Sequence, residues 1–437
     1  MTMLLEINQE QTRIRTLGEA KLASPLHLYQ GTKDGREVLY YPFVGHEDAS
    51  HQGVSFEASA PPQKIYFDPK KVHAAIVTCG GICPGLNDVI RSITHRLWFG
   101  YGVRNIVGVR YGLRGFISTY DLDFMPLDPF VVSNIHELGG TVLGSSRGEQ
   151  DMAEIVDCLD RQNINQLYMI GGDGTLRATR KIEEEIERRG LKIAVVGIPK
   201  TIDNDINFVS RSFGFETAVE AATHAISSAH AEAKSFPYGI GLVKLMGRFS
   251  GFIAAHAALS QRDVNFVLVP EVDFDMEGEH GFLAAVKQRL VERDHAVVVV
   301  AEGAGQRYLN PDTKDKDASG NMKLKDVGTW LKDEMSKYFK TEGIDINLKY
   351  IDPSYIIRSV PANTADGLYC ATLGQNAVHA AMAGKTGLVV SMWHGVYCML
   401  PIELAVAKRK QIDPHEGLWL NVLESTGQPT FKPHCDL

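Results

Sequence analysis

Four segments bring glycine together with side chains that handle phosphate groups and protons. In CGGICPGLND (79–88), Gly80, Gly81 and Gly85 can offer backbone N–H groups to an anion where the next helix begins. GGTVLGSSRGE (139–149) presents Arg147 on a loop of small residues, and a guanidinium suits two-point contact with phosphate. In IGGDGT (170–175) the glycines admit phosphates close to the backbone, Thr175 is placed to cap the following helix, and Asp173 to hold a magnesium ion against those phosphates. GIPKTIDNDI (197–206), read as extended, turns Asp203 and Asp205 to one side and Asn204 to the other. Two carboxylates beside a magnesium-bound polyphosphate suit removal of a proton from an attacking hydroxyl, with the second supporting the metal or the base.

Each segment also has a plain structural reading, as a glycine turn, a salt-bridge arginine or an Asp-rich turn. Cys79 and Cys83 lack the second pair of ligands that a structural zinc site needs. Downstream, KLMGRFSG (244–251) closes an apolar run with Gly247 and Arg248, and AEGAG (301–305) sets Glu302 at another strand end. YIIRS (355–359) spaces Tyr355 and Arg358 one helical turn apart. These add a carboxylate for sugar hydroxyls and two arginines for a phosphate dianion. The whole set asks for two phosphate-bearing ligands, one magnesium ion and one sugar-like hydroxyl, which is phosphoryl transfer to a sugar phosphate.

Such loops need strands to end on. Near-continuous apolar runs occur at 73–79, 105–110, 166–171, 192–198, 239–245, 265–270, 296–301 and 387–392, with helical patterns between most of them, such as 86–98, 215–233 and 364–383. Val/Ile/Leu runs of this kind suit strands buried on both faces of a parallel sheet, and strand–helix alternation gives doubly wound α/β architecture. Ligands of such folds lie outside the carboxyl ends of the strands. Eight strands divide more naturally between two lobes than into one sheet, with the break near 207–215. The resulting division is an N-terminal extension (1–70), a nucleotide lobe (71–211), a sugar-phosphate lobe (212–402) and a C-terminal extension (403–437). Residues 311–326 read as a polar, exposed excursion.

Composition excludes several alternatives. The 437 residues carry 53 acidic against 45 basic side chains, a net charge of −8, which disfavours a nucleic-acid binder. No run approaches the ~18 apolar residues of a membrane span. The opening MTMLLEINQEQTRIR has no basic flank before an apolar stretch, so it does not read as a signal peptide. Six scattered cysteines suit a reducing, cytoplasmic setting.

GGICPGLN, GGTVLGSSRG, GGDGT, PKTIDNDI, SFGFETAVE, KLMGRFSGF, VAEGAGQ and IDPSYIIR, in this order, resemble the phosphofructokinase family, and most of all its larger branch of plants and trypanosomatids. The similarity runs from about residue 62 to 402. It implies two Rossmann-like lobes with mainly parallel sheets and the active site in the cleft between them. It also implies conversion of fructose 6-phosphate to fructose 1,6-bisphosphate, a committing step of glycolysis. By motif match Asp203 is the base and Asp173 holds Mg2+. Gly80, Arg147, Gly148, Gly172, Asp173, Gly174 and Thr175 line the nucleotide site. Thr201, Asp203, Met246, Gly247, Arg248, Glu302, Tyr355 and Arg358 receive the sugar phosphate, and Asp205, Thr201, Arg248, Gly174 and Lys200 complete the catalytic set.

The family uses ATP or pyrophosphate. Gly174 leaves room for a nucleotide's α-phosphate, whereas Lys200 is common in pyrophosphate enzymes. Steric exclusion by a side chain at 174 would outrank the added charge of a lysine, so ATP is the expected donor and pyrophosphate the alternative. A non-catalytic phosphometabolite sensor is the rival of a different class, although Asp173, Asp203 and Asp205 are all present. Two arginines of the compact bacterial pattern are replaced here by Gly239 and Lys349, which bears on contacts between subunits and on bacterial-style allosteric control. A homotetramer, or else a homodimer, is the assembly the resemblance implies. The C-terminal PHCDL (433–437) is not a peroxisome-type address.

Overall fold

The computed structural model describes residues 7–26, 35–41, 53–309 and 323–432. The PHCDL terminus and residues 311–322 of the polar excursion lie outside the described residues. The described residues build a seven-stranded and a four-stranded sheet, with three small two-stranded pairings.

The first sheet runs in the order Val396–Pro401, Leu388–Trp393, Ala194–Pro199, Gln166–Gly171, His73–Thr78, Asn105–Val109 and Met125–Pro126. Its five inner strands are parallel and each edge strand is antiparallel to its neighbour. The second sheet is wholly parallel, in the order Phe266–Leu268, His295–Ala301, Gly239–Leu245 and Asn347–Ile351. Both sheets are covered on both faces, which is why runs such as Ala296–Ala301 are apolar at every position and fully buried.

The apolar run near 387–392 falls within the 212–402 stretch, yet its strand lies in the first sheet, where Leu388 pairs with Val196 and Val389 with Gly197. A reverse turn at His394 and Gly395, both with positive φ, then forms an antiparallel hairpin with Val396–Pro401. Any Val-rich strand suits either sheet, and only long-range pairing decides which one it joins.

The helices follow their apolar periodicity. Leu86, Val89, Ile90 and Ile93 share one buried face of helix Leu86–His95, which begins at Gly85 in the left-handed region (φ 97°). A methyl carbon at Gly85 would lie 2.6 Å from the Cys370 sulfur, so the loop passes too close to helix Thr364–Met382 for any side chain.

The terminal segments are fastened to this body. Arg15–Thr16 pairs with Lys385–Thr386, while Tyr40 and Phe56 pack with Phe208, Cys398 and Leu400. Helix Ile402–Ala407 lies against helix Asp173–Arg188 of the first lobe, and helix Gly417–Thr426 lies against Phe252–Gln261 of the second. The stretch between them therefore crosses from lobe to lobe. No helix among the described residues is long and apolar enough to cross a membrane.

Candidate active site

Strands His73–Thr78, Gln166–Gly171 and Ala194–Pro199 are neighbours in the first sheet, so the loops after their carboxyl ends meet. Lys200 N–H donates to the Gly171 carbonyl at 2.9 Å, joining two of the strand tips. Ser145 Oγ donates to the Gly80 carbonyl at 2.6 Å and Gly80 N–H to the Ser146 carbonyl at 3.0 Å, which bring in the Arg147 loop. Arg147 and the adjacent Gly148 are exposed. A methyl carbon at Gly81 would lie 3.4 Å from Arg147 Nη2 and 4.0 Å from Arg358 Nη1, and one at Gly80 would lie 3.3 Å from Lys200 Nζ and 4.0 Å from Thr175 Oγ1. Two arginines, a lysine and a hydroxyl from four separate motifs thus face the bare backbone of the first glycine loop, an arrangement suited to phosphate groups.

Lys200 Nζ donates to the Gly81 carbonyl at 2.6 Å, and burial lowers the pKa of its ammonium. Gly174 faces open space. The helix after GGDGT starts at Asp173 with Gly172 at its cap position, and no side chain caps it. Thr175 is therefore not the cap expected from its type. It sits inside the first turn, with its Cβ so near Gly171 that a methyl carbon there would lie 2.3 Å away.

The TIDND segment is not extended. Asn204 adopts a left-handed conformation (φ 56°), and its side chain accepts from Ser212 N–H at 3.0 Å, so Thr201–Asp205 is a tight turn. The Thr201 hydroxyl accepts from Asp203 N–H at 3.2 Å and donates to Asp205 Oδ1 at 2.8 Å, fixing both aspartates. Asp203 Oδ1 is shut off from solvent and has no hydrogen-bond partner. Burial, then the Asp205 carboxylate, then Glu302 push the Asp203 pKa up to about 8, against the Arg248 backbone N–H, which donates to it. The Ser250 hydroxyl donates to the Asp203 carbonyl at 3.1 Å from the second lobe.

On that lobe, Met246, Gly247 and Arg248 follow strand Gly239–Leu245, and Glu302 follows His295–Ala301 beside it. Glu302 N–H donates to the Leu245 carbonyl and Gly303 N–H to the Gly247 carbonyl, which lock the two strand ends together. Met246 packs on the main core. Burial raises the pKa of Glu302, and Arg248 is the main opposing charge. Tyr355 and Arg358 lie on the short helix Ser354–Ser359, with the guanidinium 4.6 Å from the tyrosine ring centre. Arg358 turns toward the glycine loop, whereas the Tyr355 side chain is 73% exposed.

Of the two replaced arginines, Gly239 has no room for a side chain, since a methyl carbon there would lie 1.9 Å from the Ala233 carbonyl oxygen. Lys349 stands 5.4 Å from the Phe236 ring. Asp203, Asp205, Arg248 and Glu302 thus come together where strand ends of the two sheets meet, Arg147, Lys200 and Arg358 gather at the first glycine loop, and Tyr355 stays largely exposed. Two further groups meet them unannounced: Ser250, and Arg409 from the C-terminal stretch, whose guanidinium touches both Asp173 and Asp205. Arg409 lies in AKRKQI, outside every motif, and its basic neighbours give no hint of an inward side chain.

Asp173 stands at a helix N-terminus with its side chain 19% exposed. Among the described residues no cluster of three His, Cys, Asp or Glu could hold an ion unaided. Asp173 Oδ1 lies outside its ion pairs, and magnesium, which keeps water and substrate phosphates as most of its ligands, needs only one or two carboxylates from protein.

Residues 73–381 match the family described as Phosphofructokinase. The chain is 52% identical over 431 residues to the ATP-dependent 6-phosphofructokinase of Borreliella burgdorferi, covering 95% of this chain and 96% of that one. It is 49% identical over 390 residues to ATP-dependent 6-phosphofructokinase 7 of Arabidopsis thaliana, covering 89% and 80%. A crystal structure of a pyrophosphate-dependent phosphofructokinase from Marinobacter aquaeolei shares the fold, with a TM-score of 0.66 at 19% identity over 84% of this chain and 94% of that one.

Proposed function

The chain belongs to the phosphofructokinase family, and from that premise we propose how its residues divide the work. The reaction is ATP-dependent phosphorylation of fructose 6-phosphate to fructose 1,6-bisphosphate, a phosphotransfer to an alcohol. The observation that carries the residue assignment is Asp203 Oδ1: buried, unpartnered, and set between the phosphate-facing loops and the sugar-side strand ends.

Asp203 takes the proton of the sugar 1-hydroxyl as that oxygen attacks the γ-phosphorus of ATP, whose bond to the β-phosphate oxygen breaks to release ADP. Its raised pKa makes it a stronger base than an ordinary aspartate. The backbone of Gly80, Gly81, Gly172 and Gly174, with Arg147, Gly148 and Thr175, receives the nucleotide phosphates. Arg248, Glu302, Met246, Gly247, Thr201, Tyr355 and Arg358 receive the sugar phosphate. Asp173 would hold magnesium, which neutralises charge on the transferring phosphoryl group. Asp205 and Thr201 orient the turn. Lys200 braces the glycine loop, with its ammonium beside the donor phosphates.

A cytoplasmic enzyme suits the five described cysteines, all free and buried. The resemblance supports assembly as a homotetramer, or else a homodimer, and light scattering distinguishes the two. The decisive experiment is the initial rate of fructose 1,6-bisphosphate formation with magnesium and either ATP or pyrophosphate, side by side. Turnover with ATP is expected. Turnover with pyrophosphate alone would overturn the donor, and binding without turnover would favour a sensor.

A further inference from the structure

Arg409 stands between two of the carboxylates at the reaction centre. Its Nη1 donates to Asp205 Oδ2 at 2.8 Å and its Nη2 to Asp173 Oδ2 at 3.1 Å. The guanidinium also lies 4.3 Å from the ring centre of Phe249, in the MGRFSG loop of the second lobe.

The backbone that delivers it is tied at each step. Arg409 bridges antiparallel to Ile206, and Lys410 N–H donates to the Asp205 carbonyl at 2.9 Å. Gln411 Nε2 donates to the Phe249 carbonyl at 2.9 Å. Ile412 N–H donates to Glu271, which also accepts from Gly251 N–H. Residues 409–412 thus clip the aspartate turn of one lobe to the sugar-side loop of the other.

The ion pairs divide the carboxylate oxygens. Asp173 Oδ2 takes both Arg409 and, at 3.3 Å, Arg177, so Oδ1 stands outside both pairs. Asp205 gives Oδ2 to Arg409 and Oδ1 to the Thr201 hydroxyl. Groups that grip one oxygen of a ligating carboxylate fix where the other points, and their loss costs 10–100-fold in metal affinity or activity as a rule.

We propose that Arg409 is a positioning residue for the phosphoryl transfer: its two-pronged contact sets Asp173 with Oδ1 free for the cation that accompanies the phosphates, and holds Asp205 beside the base. The inference rests on the reading of Asp203 and Asp173 as the reaction centre. A planar fork is required, because a lysine is a point charge and cannot reach both carboxylates with aligned donors.

The test compares wild type, Arg409→Ala and Arg409→Lys in the full chain by three measurements. These are kcat and KM for both substrates across magnesium concentration, calorimetric binding of ADP with magnesium, and thermal melting. Arg409→Ala is expected to lose 10–100-fold in kcat and to bind magnesium–ADP about tenfold more weakly. KM for fructose 6-phosphate stays near wild type, Arg409→Lys stays impaired, and added guanidinium ion restores part of the Arg409→Ala rate without speeding wild type. Wild-type kcat and metal–nucleotide affinity in Arg409→Ala would overturn the proposal. So would a loss that follows a lowered melting temperature and resists guanidinium, since that marks a structural ion pair. A wild-type chain without ATP-dependent turnover would instead sink the reading of the site itself.

Discussion

Lys200 and Gly81 are joined across the phosphate side of the site, the lysine ammonium donating to the glycine carbonyl at 2.6 Å. The lysine that argues for pyrophosphate in the sequence is thus engaged in bracing a loop. Gly174, by contrast, borders open space. On the proposed reading, donor choice turns on what fills that space.

Gly174→Asp tests this directly. Nothing lies within 4 Å of the added Cβ, so the variant is expected to fold and to melt like wild type. A carboxylate facing the nucleotide phosphates brings like charges together, which costs several kcal/mol, so the ATP-dependent rate should fall about 10²-fold or more. Parallel assays with ATP and pyrophosphate measure it, and unchanged ATP kinetics would refute the steric argument.

Asp203→Asn removes the base while keeping the side chain's shape. Turnover is expected to fall 10²–10⁴-fold, the range for loss of a positioned acid or base. Fructose 6-phosphate binding, followed by calorimetry, should change little. Near-normal turnover would mean that another group takes the proton.

The pH dependence has a definite sign. The base works only when ionised, and burial with Asp205 and Glu302 nearby raises its pKa to about 8. The free enzyme's kcat/KM should therefore rise with pH through the neutral range instead of levelling off near pH 4. Asp205→Asn removes the like charge with the larger effect, so its rising limb should move to lower pH. The same shift destabilises the fold as pH climbs from the ordinary aspartate range through about 8, because the folded state holds the proton more tightly than the unfolded chain. Asp203→Asn should accordingly melt higher than wild type at pH 9. A limb unmoved by Asp205→Asn would disprove the coupling.

Gly139→Ala probes the helix that carries Arg358. A methyl carbon at Gly139 would lie 1.8 Å from the Ser359 carbonyl oxygen, so either the loop or helix Ser354–Ser359 must move. A shift of about 1 Å can cost 10²-fold when it misplaces a substrate contact. The loss is expected chiefly as a raised KM for fructose 6-phosphate with a smaller drop in kcat. Steady-state kinetics showing neither would mean that Arg358 is held independently of this contact.

What local chemistry controls was legible in the chain. Apolar runs marked most strands because a strand covered on both faces is apolar at nearly every position, whereas the half-buried edge strand Asn347–Ile351, with Asn347 and Lys349, carried no such mark. Glycine clusters marked the loops at strand ends because bare backbone is needed where phosphates approach. The paired aspartates marked the candidate base, whereas the turn that holds them was not legible, because an extended reading puts them on one side just as well. Asn204 in the left-handed region is a backbone choice stabilised by Ser212, eight residues away.

Other features were decided by contacts far apart in sequence. Strand Leu388–Trp393 joins the first sheet through pairing with Val196 and Gly197, and no local pattern distinguishes that from pairing in the second. Once it does so, the chain must leave beside helix Asp173–Arg188 and cross the site, which is what carries Arg409 to Asp173 and Asp205. The sequence determined which groups could do the chemistry, since side-chain type and local backbone freedom are properties of each segment. Tertiary structure decided which cation stands among the carboxylates, because that depends on where a distant strand finds its partner.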